Sequence, residues 1–396
     1  MFSKLFKLTL IVACATQACL AKKQKKLEPI APPYIDTDLA EHHFKLPRYE
    51  QILGYKNDEY VLVYGHETVW LYDMNGKEYK EWNTNIKRAQ LLKNCNLLVI
   101  DNHENNNISE KNYAGDIIWS KEMPGRTHHD FEVTDDGHIT LYYNIPMPED
   151  FELTNNCKHD EMLTDVIVEI DKDGNRYFEW PFYKHYGKVM NNTICSEHSL
   201  ERQQKSNFSK LLDPIHPNGL DVLQDNKWYR MGYKEFKPGN IIMTLHHLRR
   251  FVILDKETKK IVYLYDGRQD KKGIPLDGPH EAKMIPEGVP GAGNIMIFDN
   301  GLHDRKYTIV REINPITKET VWEYKKPGEF FSKFAGSWQR LKNGDTFISD
   351  DSSGRAIIVN RAGDILWQFV RPEEVDDPWV KRARLYPRSE FGHCLN

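Results

Sequence analysis

Six times along this chain one short phrase recurs: a strand end, a tight turn carrying Asp or Asn with Gly or Thr-Lys, and a second strand closing on an aromatic residue. The copies are YDMNGKEYKEW (72–82), KNYAGDIIW (111–119), IDKDGNRYFEW (170–180), LDKETKKIVYLY (254–265), INPITKETVWEY (313–324) and VNRAGDILWQF (359–369). Each reads as a β-hairpin, since the turn residues tolerate tight backbone and the flanks favour extended chain. A second strand-turn-strand phrase precedes most of them, as in LLKNCNLLVIDN (91–102), VTDDGHITLYYN (133–144), EFKPGNIIMTL (235–245), IPEGVPGAGNIMIFDN (285–300) and LKNGDTFISDD (341–351). Two hairpins make a four-stranded unit. Six such units predict an all-β chain, a six-bladed β-propeller. The absence of a long amphipathic helix argues against an α/β layer architecture.

The repeats occupy 44–372, broken by a polar, helix-permitting insertion around 146–213 that includes SEHSLERQQKSNFSKLL. Residues 1–21 read as a secretory signal peptide: Lys4 and Lys7 precede the apolar run LTLIVACA and a small-residue cleavage site. Ile11-Val12-Ala13-Cys14 faintly resembles a lipoprotein box. Residues 22–43 are charged and Pro-rich, the composition of a flexible arm, and 373–396 form a tail expected to pack on the outside of the propeller or help close the ring. No other segment approaches the apolar length of a membrane span, so a soluble, secreted protein is expected, periplasmic if the host is a bacterium. The formal net charge of -4 gives no electrostatic case for nucleic acid. Beyond the leader remain Cys95, Cys157, Cys195 and Cys394, an even set suited to disulfides in an oxidising compartment. The shared insertion makes Cys157–Cys195 the first pairing to expect. Asn107-Ile108-Ser109, Asn191-Asn192-Thr193 and Asn207-Phe208-Ser209 are N-glycosylation sequons, relevant in a eukaryotic host.

Matching places in different blades converge on the channel of a propeller, so histidines at such places deserve alignment. Just upstream of three second phrases stand Thr127-His128-His129-Asp130, Ile215-His216-Pro217-Asn218 and Pro279-His280-Glu281. Imidazoles can attack, donate protons and hold an anion, and an amide such as Asn218 adds donors, so the constellation suits transfer of an anionic group. His246-His247, followed by Arg249 and Arg250, could add positive donors. A histidine cluster can also bind zinc or copper, with Asp130 and Glu281 as available carboxylates.

THHDFEVTDDGHI, DPIHPNGLDVL, GNIIMTLHHLRRFVILD, GPHEAKMIP with NIMIFDNG, and FFSKFAGSWQRLKNGDTFISDD resemble, in order and spacing, the arylsulfotransferase family. The resemblance implies a secreted six-bladed propeller that moves a sulfuryl group from an aryl sulfate to a phenolic acceptor without a nucleotide donor or other cofactor. It implies that His280 becomes transiently sulfated, that His216 and Asn218 hold the sulfuryl oxygens, and that His128 or His129 serves as acid and base. The family's arginine after the IIMTL strand is His246 here, with Arg249 or Arg250 the nearest substitutes. A non-catalytic propeller binding an anion, a glycan or a protein is the competing expectation.

Overall fold

The computed structural model describes residue 55 and residues 58–65, 67–101, 106–148, 162–185, 213–269, 273–370 and 380–395. The expected leader and arm, Cys157, Cys195 and the sequons at Asn191 and Asn207 lie outside them. Six antiparallel four-stranded sheets form the blades of a β-propeller. Blades 2 to 6 each take four consecutive strands, beginning with the inner strands Ile86–Leu91, Arg126–Val133, Pro217–Val222, Pro279–Met284 and Ser337–Arg340. Blade 1 differs. Its first three strands are Glu59–Tyr64, Thr68–Asp73 and Glu78–Asn83, and its inner strand, Arg382–Pro387, comes from the C-terminal tail. Pairing the two ends of the chain in one sheet closes the ring without leaving an inner edge. A disulfide between Cys95, in the blade 2 turn, and Cys394 secures the tail beyond that strand.

Within the span 146–213, Leu163–Ile170 and Arg176–Pro181 are the outer hairpin of blade 3, as the phrase ending at Trp180 requires. The helix-permitting text of that span lies outside the described residues. Asn107 begins a blade 2 strand, and its sequon serine, Ser109, is buried with its hydroxyl on Asp101 and Ser120.

Each sheet packs on both faces, so middle strands such as IIMTL (Ile241–Leu245) and IMIFD (Ile295–Asp299) are buried throughout, and only outer strands such as Thr320–Lys325 reach solvent. The core is therefore six apolar slices, each wedged between two neighbouring blades. Between blades 3 and 4, for example, Tyr142, Ile167 and Trp180 meet Met243, Val252 and Leu254.

An aromatic at the end of each repeat, or two residues before it, also has a polar task. Trp82 Nε1 donates to Tyr113 O (3.1 Å), Trp119 to Lys172 O (2.7 Å) and Trp180 to Lys259 O (3.2 Å). Tyr263 Oη donates to Pro315 O (2.8 Å), Trp322 Nε1 to Arg361 O (3.0 Å) and Trp367 Nε1 to Met74 O (2.9 Å). Every blade thus reaches the outer turn of the next, and the last reaches the first. Three of these turns are held a second time by a buried carboxylate, through the pairs Glu110–Lys172, Glu169–Lys256 and Glu312–Arg361. Trp180→Phe keeps most of the ring packing and removes one such bond. It is expected to cost about 1 kcal/mol, read as a lower urea midpoint with an unchanged slope.

Candidate functional site

The inner strands of blades 3, 4 and 5 share a defect at one level. Each carries extra residues that break the register: between His128 and Phe131, between Pro217 and Gly219, and between His280 and Lys283. Beside or within these bulges His129, His216 and Glu281 adopt positive φ (55°, 51° and 28°), a conformation that non-glycine residues rarely hold. A bulge re-aims side chains, and here three blades re-aim theirs together. Gly219 permits the crowding. A Cβ there would sit 2.6 Å from Thr244 Oγ1 and 2.8 Å from Glu281 Cα.

Six imidazoles gather as a result. Ring centroids lie 4.8 Å apart for His280–His246, 5.6 Å for His246–His216, 4.9 Å for His216–His247, 4.4 Å for His216–His129 and 5.0 Å for His129–His128. Asn218 is 1% exposed, and neither its Oδ1 nor its Nδ2 has a hydrogen-bond partner among the described residues. A buried amide without partners is costly unless a ligand completes it.

Hydrogen bonds fix how several rings present themselves. Asn300 donates its Nδ2 hydrogens to Ser332 O (2.6 Å) and Ala335 O (2.9 Å), so its Oδ1 must accept from His280 Nδ1 at 2.6 Å. His280 Nε2 is then the bare lone pair. His246 Nδ1 donates to Pro279 O (3.1 Å), and His247 Nδ1 to Asp213 O (2.6 Å). His216 Nδ1 faces Asp213 Oδ2 at 2.6 Å. The two rings of the His-His pair differ. His128 is buried, bonds Asp165 through Nε2 at 2.7 Å and stacks on Tyr142, whereas His129 packs edge-on to His216 and is only partly buried.

Asn300, Asp213 and Asp165 were not singled out in the sequence, although Asn300 and Asp213 stand in phrases read for their histidines. The two arginines are already engaged: Arg249 pairs with Asp277 (2.9 Å) and Asp304, and Arg250 with Asp266 (2.9 Å). Among the described residues, Cys95, His393 and Cys394 form a group of three metal-type donors within 4.8 Å of one another, but both sulfurs are joined in the disulfide.

A buried ionic hub lies on the same inner strands. Asp130 of blade 3 receives Arg88 Nε of blade 2 (2.7 Å) and Arg382 Nη1 of the closing strand (3.2 Å), with Lys283 of blade 5 at 3.7 Å. Glu281 shares Arg382 and Lys283, both at 3.4 Å, and its carbonyl accepts from Trp338 Nε1 of blade 6.

Burial disfavours the charged form of five of these imidazoles. It pushes His280 down to about 3 and His247 down to about 4, and holds His128, His129 and His246 well below the ordinary histidine value. His280 therefore stays neutral far below pH 6.5. Stability behaves differently. These groups bind protons more readily when unfolded, so their contribution is complete above an unfolded pKa of about 6.5 and is lost as pH falls toward the folded values. Each contributes a slope of up to about 1.4 kcal/mol per pH unit. Urea midpoints are expected to fall between pH 7 and pH 5.

Residues 88–371 match the Arylsulfotransferase (ASST) family. No curated protein matches the chain in sequence. Among solved structures, a protein of unknown function from Bacteroides caccae is similar with a TM-score of 0.53 at 10% identity, covering 83% of this chain and 99% of that one. A streptogramin B lyase gives 0.46 at 12% identity, covering 84% and 91%. Among the described residues no helix is long and apolar enough to cross a membrane. A match spanning five of the six blades, all three histidine bulges among them, means that the chain belongs to the arylsulfotransferase family.

Proposed function

We propose that the chain is a secreted enzyme that transfers a sulfuryl group from an aryl sulfate to a phenolic acceptor through a sulfohistidine at His280. The observation that carries this is the Asn300 amide, whose spent hydrogens oblige neutral His280, its ring 4.8 Å from that of His246, to leave Nε2 unprotonated. That lone pair forms the N–S bond as the bond from sulfur to the aryl oxygen breaks. Asn218 and His216 hold the sulfuryl oxygens. The negative charge of the entering sulfate favours the imidazolium form of His129, whose proton passes to the departing phenolate. In the second half an incoming phenol returns its proton to His129, its oxygen attacks sulfur, and the N–S bond breaks. His246 occupies the place of the family arginine beside His280. Arg249 and Arg250 receive no role in this scheme, because their guanidiniums already face carboxylates. Secretion is supported by the leader-like residues 1–21 and by the Cys95–Cys394 bridge.

The test uses a chromogenic aryl sulfate with and without added phenol. Expected are ping-pong kinetics with the phenol and, without it, one added sulfuryl group on the peptide carrying His280. Transfer that proceeds without modifying this peptide overturns the scheme. The engaged arginines favour the second reading, a propeller that binds aryl sulfates without turning them over, and retained binding with no turnover is its signature.

A further inference from the structure

The register defect that carries His129 in blade 3 and Asn218 in blade 4 also occurs in blade 2, where the extra residue between Ile86 and Arg88 is Lys87. Repeat equivalence puts Lys87 at the level of the histidines. Its Nζ donates to Thr127 O at 2.8 Å, one residue from His128. Arg126 begins the adjacent inner strand, and its Nε is buried with no hydrogen-bond partner among the described residues. Lys87 and Arg126 repel each other, both act on His128, and burial pushes each below its ordinary value. Among the described residues neither has a carboxylate within ion-pair distance. Asp213, the acidic group felt by Arg126, is bonded to His216. Two cations with no ion-paired carboxylate among the described residues describe a place for an anion.

Ring order says which part of a substrate arrives there. Blade 2 stands opposite blade 5 in a ring of six, so Lys87 and His280 come from opposite blades, and both act electrostatically on His129. An aryl sulfate with its sulfur at His280 and its ester oxygen at His129 directs the far end of its ring toward Lys87 and Arg126. We infer that Lys87 and Arg126 form an anion subsite that selects aryl substrates bearing a ring carboxylate. The inference rests on the transfer reading for the class of substrate, not for the subsite itself.

The experiment compares 4-hydroxybenzoate with 4-hydroxybenzyl alcohol as acceptors, 4-nitrophenyl sulfate being the donor. The kcat/KM ratio of charged over neutral acceptor is expected to be about tenfold or more at low salt and to shrink as salt rises. It should fall toward one in Lys87→Met and in Arg126→Met, and survive in Lys87→Arg, which keeps the charge. A ratio near one in the parent protein, or one unmoved by both methionine variants, overturns the subsite while leaving transfer intact. Calorimetric binding of the same two phenols forms the second arm. If neither phenol accepts sulfuryl but 4-hydroxybenzoate binds more tightly, and Lys87→Met abolishes that preference, the transfer reading fails and the subsite stands.

Discussion

His280→Ala is expected to lower transfer between aryl sulfates and phenols by roughly 10⁵-fold, the scale on which enzymes lose rate when their nucleophile is removed. The loss should fall on kcat, and no sulfuryl group should remain on the protein. Retention of normal transfer between aryl sulfates would sink the mechanism. Asn300→Ala supplies the graded comparison. It leaves the imidazole in place but frees it to carry its hydrogen on either nitrogen, so that only part of the population presents a bare Nε2. Sulfation of His280 should slow, by about tenfold at most, without disappearing. A purely structural role for Asn300 would instead lower the unfolding midpoint and leave the sulfation rate of folded protein unchanged.

The ring was legible in the sequence because a hairpin is a local object. Each of the six phrases names its own turn, but the closing aromatic reaches the next blade in only three (Trp82, Trp119, Trp180), the aromatic two residues earlier doing so in the others (Tyr263, Trp322, Trp367). Histidines at repeat-equivalent places were legible for the same reason. What joins them was not. Asp165 meets His128 across two strands of one blade, Asn300 meets His280 across a hairpin, and Asp213 turns back three residues to His216. Side-chain geometry decides such contacts, and spacing alone does not fix it. Cys95–Cys394 and the inner strand Arg382–Pro387 were hidden differently, since both depend on the two ends of the ring meeting. Pairing Cys157 with Cys195 relied on nearness in sequence, and both lie outside the described residues. Arg249 and Arg250 follow the expected strand, yet a tight turn at Arg249 (φ 54°) and nearby carboxylates claim them. Lys87 stood in plain view, at the place where the neighbouring repeats carry histidine or asparagine.

Asp130→Asn is expected to destabilise the fold by about 3–5 kcal/mol, because it removes the charge on which buried cations from three other chain segments converge. Burial alone would raise this carboxyl, but Lys283, Arg382 and Arg88 override it and hold it well below the usual range. Its contribution is therefore present above an unfolded pKa of about 3.9 and persists through the pH range in which the histidines cost stability. Urea unfolding at pH 7 measures the loss, and a change below about 1 kcal/mol would reduce the hub to an ordinary hydrogen-bonded group. A double-mutant cycle with Arg88→Met tests the cause. If the loss comes from stranding cations, removing Arg88 as well should recover part of it, leaving the pair less destabilised than the sum of its members by about 0.5–3 kcal/mol. Additive losses would mean that Asp130 acts through the backbone it touches, accepting from Phe131 N and Leu220 N, and not through its charge.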